Sequence, residues 1–103
     1  MTFKVRLSFS AELDLQEAIE FIAKDSKTHA KNWVVEFQKK IESLREFPLR
    51  HALIPESNEV ELPLRSITHY SHRIIYLVDE SSKTVEIVRV YHGARKPLDK
   101  DIL

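Results

Sequence analysis

The sequence predicts an α+β domain in the order β-α-α-β-β-β, an antiparallel sheet with an N-terminal helical hairpin packed on one face. Two changes of rhythm predict it. Apolar residues recur at helical spacing twice in the first half of the chain, and the period then falls to two in the second half. The third observation is composition. With 103 residues, 43% apolar and 31% charged, the chain has the size and mix of one globular domain spanning 1–103, long enough for one core.

Phe3, Val5 and Leu7 alternate with Lys4 and Arg6, which reads as a short half-buried strand. Ser10 is the expected N-cap of the first helix. Glu12 and Asp14 lie in its first turn, where the helix dipole favours anions. Leu15, Ala18, Ile19 and Ile22 follow at i, i+3, i+4 and i+7, predicting a helix over about 10–24. The polar run 25–28 breaks the pattern, and Thr28 is the expected cap of a second helix. Its apolar stripe is Ala30, Trp33, Val34, Phe37, Ile41 and Leu44, and Pro48 closes it near Phe47. So short a break makes the pair an antiparallel hairpin.

Residues 48–59 carry two prolines and no period, and read as a loop. Val60, Leu62 and Leu64 then suggest a strand, RIIYLVD (73–79) a second and TVEIVRVY (84–91) a third. Tyr70-Ser71 and the polar run 80–83 form the turns between them. Strict alternation on the last strand would place Val85, Ile87, Arg89 and Tyr91 on one face and Glu86, Val88, Val90 and His92 on the other. With the hairpin covering one face of the sheet, the other is expected to be free.

Charge excludes one broad class. The net charge is zero, which argues against binding nucleic acid through bulk attraction. The distribution is uneven: residues 1–61 hold nine Lys/Arg against eleven Asp/Glu, and residues 62–97 six against three, with His69, His72 and His92. There is no cysteine, so disulfides and thiolate metal sites are excluded, in keeping with a reducing compartment. Met1 leads straight into the first strand and no apolar run approaches the roughly 20 residues of a membrane span. A cytoplasmic protein is the expectation. His69, His72 and His92 lack the spacing and further ligand of a metal site, so no metal and no cofactor are expected.

The stretch VRVYHGARKPL (88–98) contains the only glycine of the chain, Gly93. The plain expectation is a turn needing positive φ, which would aim Arg95 and Lys96 off the end of the sheet. Tyr91 and His92 precede it, and Arg65, His69, Arg73 and Arg89 lie on neighbouring strands. Guanidinium groups suit bidentate recognition of phosphate or carboxylate, and histidine can hold or give a proton near neutral pH.

The order of elements, together with HRIIYLVDE (72–80) and VEIVRVYHGARKPL (85–98), resembles the RelE/ParE family, the toxins of bacterial type II toxin–antitoxin pairs. The resemblance covers essentially the whole chain. Its most specific parts are Arg73-Ile74-Ile75-Tyr76 and His92-Gly93-Ala94-Arg95. It implies a partner, an acidic and partly disordered antitoxin segment that wraps the toxin and folds on binding. It also implies one of two targets. RelE-like members cut mRNA on the ribosome without a metal: the 2′-hydroxyl attacks the adjacent phosphate, so the site needs a base, a phosphate-binding cation and an acid. In that case Arg65, Arg73, His92 and Arg95 are the catalytic candidates, with Tyr91 a possible stand-in. ParE-like members poison DNA gyrase, and Arg65, His69, Arg73, Arg89, Tyr91, Arg95 and Lys96 would then contact the target protein. After Arg95 the chain reads KPLDKDIL, without the C-terminal Tyr or His usual in the ribonuclease members. Basic residues are also few for gripping RNA. Both departures favour gyrase over the ribosome. A third reading is an inactive homologue that only binds an antitoxin.

Overall fold

A computed structural model describes residues 2–93. The order is β1 (Lys4–Leu7), α1 (Phe9–Asp25), α2 (Lys27–Ser43), a 3-10 turn at Pro48–Arg50, a one-turn helix α3 (Ser57–Val60), then β2 (Arg65–His69), β3 (His72–Asp79) and β4 (Thr84–His92). The strands form one sheet in the order β1-β4-β3-β2. The meander β2-β3-β4 is antiparallel, as expected, while β1 joins its outer edge parallel to β4.

The caps differ from the sequence reading by two residues each. Ser8, not Ser10, caps α1, its Oγ accepting from the Ala11 amide at 3.0 Å. Ser26, not Thr28, caps α2, accepting from the His29 amide at 3.1 Å. Ser26 also ends α1, its own amide donating to the Ile22 carbonyl. One extended residue thus makes the whole turn of the hairpin.

The expected strand at Val60–Leu64 is not formed. Residues 57–60 are helical, and Glu61 takes the left-handed conformation at φ 58°. The strand begins only at Arg65. Alternation of apolar residues there has another cause: Ile54, Val60 and Leu64 turn inward together to cover the sheet.

That cover corrects a second expectation, the free face. Ala11, Ala18, Trp33 and Phe37 of the helices pack against Ile74, Tyr76, Val85, Ile87 and Val90. On the opposite face Ile54, Val60 and Leu64 close over Ile75 and Tyr91 in a second small core. Both faces of the central strands are therefore buried.

The last strand also departs from strict alternation. β3 pairs Ile75 with Arg89 but Tyr76 with Ile87, so Val88 is an extra residue, a β-bulge. Val85 and Ile87 face the helices, and after the bulge so do Val90 and His92, while Tyr91 turns to the other face. The predicted grouping of Arg89 and Tyr91 with Val85 and Ile87 fails at this point.

Tyr76 ties the sheet to the 3-10 turn. It is fully buried and its hydroxyl donates to the Pro48 carbonyl at 2.7 Å. Burial pushes its pKa up to about 12 against the opposing fields of Arg65 and Arg50. Tyr76→Phe leaves that carbonyl without its donor and is expected to cost about 1–2 kcal/mol in urea unfolding.

Candidate functional site

The predicted site residues do not converge; the fold distributes the described ones over four places. Arg65, at the start of β2, directs its guanidinium to the carbonyls of Leu49 and His51. It holds the 3-10 turn against the sheet. Arg73 lies on the face covered by the 53–64 segment and makes a two-pronged ion pair with Glu56, at 2.6 and 3.2 Å. Its guanidinium stands 6.0 Å from the centre of the Tyr91 ring, and that of Arg89 stands 5.7 Å from it. Tyr91 is thus stacked near two cations in a buried setting.

Arg89 is engaged from another side. β1 ends at Leu7 opposite Ile87, yet β4 continues to His92, so the outer edge of β4 loses its strand partner. The start of α1 takes over that role. The Ser8 amide donates to the Ile87 carbonyl, the Ser8 hydroxyl to the Val88 carbonyl, and Asp14 accepts from the Val90 amide at 2.9 Å. The same carboxylate takes Arg89 through Nε at 2.6 Å and Nη2 at 2.7 Å. This pairing holds the Arg89 pKa above its ordinary value. Asp14 was expected only as a first-turn helix anion. Its partners lie 75 and 76 residues away, and no local pattern marks them; the same holds for Glu56.

His69 is a core residue. It is fully buried, with Nε2 at 3.0 Å from the Trp33 carbonyl, to which it donates, and its ring edges against Trp33 and Phe37. Its expected target contact is therefore not available on the surface. Burial lowers its pKa, with Lys40 adding to the effect and the Trp33 hydrogen bond and Glu36 opposing it. His51 is lowered too, by burial and then by Arg50. The folded chain thus refuses protons that the unfolded chain takes up near pH 6.5. Their contribution to stability is complete above that pH and is lost as pH falls through it towards the folded values. Urea midpoints are expected to fall between pH 7.5 and 5.5, and the fall should be shallower in His69→Gln.

His92 pairs across the sheet with His72, the rings 4.9 Å apart and edge to face. His72 in turn meets the Trp33 ring. The two histidines lie on a cleft of about 460 Å³ between the helical hairpin and the end of the sheet, where Phe21, Trp33 and Tyr70 also line the wall. An adjoining cleft of about 380 Å³ shares Phe21, His72 and His92 and reaches Asp14 and Glu17. Tyr70 forms the tip of the β2–β3 hairpin at φ 55°, with its ring exposed. Sequence reading placed the turn here but missed the exposed aromatics Phe21 and Tyr70, since each on its own looks like a core residue. The His69–His72–His92 trio is split between core and cleft. Among the described residues no group of three or more His, Asp or Glu side chains is placed to hold a metal ion.

Gly93 has a different reason from the one expected. Its φ is not positive. Its amide donates to the Ser71 carbonyl at 2.7 Å, and a Cβ at this position would lie 3.2 Å from that oxygen. Close backbone approach, not a left-handed turn, calls for glycine here. Arg95 and Lys96 lie outside the described residues.

The fold is thus of the α+β class, one sheet flanked by a helical hairpin, with a histidine-lined cleft at the sheet's end. A family model for the ParE toxin of the type II toxin–antitoxin system parDE matches residues 5–97. The chain belongs to this ParE toxin family, within the broader RelE/ParE group. Among solved structures it is similar to the chromosomal ParDE toxin–antitoxin system of P. aeruginosa, with a TM-score of 0.68 and 17% identity over 88% of this chain and 96% of that one. It is also similar to the RelBE2 toxin–antitoxin complex of Mycobacterium tuberculosis, with a TM-score of 0.58 and 27% identity over 89% and 99%. The archaeal RelE–RelB complex of Pyrococcus horikoshii OT3 gives a TM-score of 0.56 and 20% identity over 93% and 100%. At 17% and 20% identity the first and third likenesses speak for the fold. No curated protein matches the sequence. No helix among the described residues is long and apolar enough to cross a membrane.

Proposed function

We propose that this toxin acts in the cytoplasm by poisoning DNA gyrase through a protein–protein contact, without chemistry of its own. One observation carries the reading: the sheet-borne arginines that would serve a ribonuclease site are engaged inside the protein. Arg65 holds two carbonyls and Arg73 is clamped by Glu56. A phosphate in a cleavage transition state would have to compete with a buried carboxylate for Arg73, which weakens the electrostatic stabilisation such chemistry depends on. The ParE family match is in keeping with this reading.

A cognate antitoxin holds the toxin inactive. The family supports this, as do the ParDE and RelBE complexes whose folds it shares. The antitoxin is expected to bring a partly disordered segment that folds on the toxin surface.

The test is supercoiling of relaxed plasmid by purified gyrase, with the full chain freed of antitoxin. Inhibition with accumulation of cleaved DNA is the expected result. Unaffected gyrase together with codon-positioned mRNA cuts on translating ribosomes would move the assignment to the RelE-like endonuclease, with His92 and Arg95 as the first residues to replace. No effect on either, with normal growth on induced expression, would leave an antitoxin-binding module.

A further inference from the structure

The first helix has an outer face on which large apolar side chains stay exposed among the described residues. Phe9 is 74% exposed and Phe21 68%, the two most exposed large apolar side chains among the described residues, and Leu13 is 50% exposed. With Glu17 they occupy positions 9, 13, 17 and 21. Successive members of such a row are turned by roughly 40°, so they form one continuous ridge along the helix. The ridge climbs from the N-terminus of α1 to the mouth of the cleft beside His72 and His92, whose wall includes Glu17 and Phe21.

This helix is also the most acidic element of the fold, carrying Glu12, Asp14, Glu17, Glu20 and Asp25 against Lys24. Asp14 is turned inward to Arg89; Glu12, Glu17, Glu20 and Asp25 are exposed around the ridge. Apolar side chains set among carboxylates make a poor surface for an acidic segment and a complementary one for a basic segment.

We infer that the outer face of α1 is a docking surface for a helical segment of a partner protein, one that interleaves large aliphatic side chains with Lys and Arg. The partner helix lays its apolar stripe along Phe9, Leu13 and Phe21, its cations meet Glu12 and Glu20, and its far end sets an apolar side chain into the cleft at Phe21. A helix fits because the surface is itself a helical ridge some four turns long, which packs by interdigitation with another helix. The inference goes beyond the choice of gyrase or ribosome and does not depend on it.

The experiment is fluorescence anisotropy of the full chain with a labelled helical peptide of 17 residues, matching the length of α1. The peptide carries Leu at i, i+3, i+4 and i+7 and Lys or Arg elsewhere. Binding is expected. It should weaken about tenfold or more in the double variant Leu13→Ser/Phe21→Ser, because hot-spot apolar anchors carry most of such a contact. It should also weaken as salt rises, and survive Phe47→Ser, an equally exposed aromatic elsewhere (65%). These side chains are exposed, so the variants keep the fold. The inference is overturned if the double variant binds the peptide as well as the parent does. It is equally overturned if a companion peptide with Glu at every cationic position binds as tightly. A full chain that sediments as a dimer and is dispersed by the double variant would overturn it too, assigning the face to a second copy.

Discussion

Asp14→Ala is expected to destabilise the protein by about 3–5 kcal/mol, the range for removing one partner of a buried ion pair. Asp14 and Arg89 are only 11% and 13% exposed, so the arginine left behind would keep its charge with little water to solvate it. The Val90 amide loses its acceptor at the same time. The carboxylate therefore serves two roles that alanine abolishes together, pairing a buried cation and closing the edge of β4 where β1 has ended. Urea unfolding followed by circular dichroism measures the loss. The reciprocal variant Arg89→Leu leaves the Asp14 carboxylate without its cation, but that carboxylate keeps the Val90 amide and can be neutralised by taking up a proton, so it should cost less. A cost equal to that of Asp14→Ala would mean that the ion pair, not the edge, dominates.

Glu56→Ala comes next. Glu56 is 10% exposed and Arg73 26%, so water reaches the arginine somewhat better and the expected cost is about 2–4 kcal/mol. The loss carries a structural consequence that Asp14→Ala lacks. Glu56 precedes α3, and its contact pins the 53–64 segment over Ile75 and Tyr91. Without it that segment should open first, giving faster amide exchange at Ile54 and Leu64 before the meander itself exchanges. The surface pair Arg6–Glu86, with exposures of 69% and 34%, is the internal comparison. Glu86→Ala should change stability by less than about 1 kcal/mol. The proposed gyrase contact predicts, further, that Glu56→Gln freeing Arg73 confers no mRNA cleavage.

The sequence was legible where structure is local. Helical spacing located both members of the hairpin because their apolar stripes repeat within the element, and runs rich in β-branched and aromatic residues located β3 and β4. What could not be read came from partners far along the chain. Asp14 looks like any first-turn acid until β4 arrives beside it. Val60, Leu62 and Leu64 alternate like a strand, but only the position of Ile75 and Tyr91 shows that Val60 and Leu64 fold over the sheet instead, with Leu62 left exposed. A single extra residue, Val88, reverses which side chains share a face, and a bulge leaves no mark in composition. The candidate site was read as a set of residue types whose arginines suit phosphate or carboxylate. Arg73 and Arg89 pair with carboxylates of this chain, and Arg65 with backbone carbonyls.

The parallel pairing of β1 with β4 has a kinetic consequence. Lys4 pairs with Thr84, so β1 lies beside a strand that the ribosome makes about 80 residues later. At 5–20 residues per second, β1 waits roughly 4–16 s for its neighbour. Throughout that time the apolar stripes of the helical hairpin have no sheet to cover them. Closing so long a loop is slow compared with helix formation. The sheet is completed only once β4 has been made, so a truncated translation product that stops before β4 lacks the strand on which both cores rest.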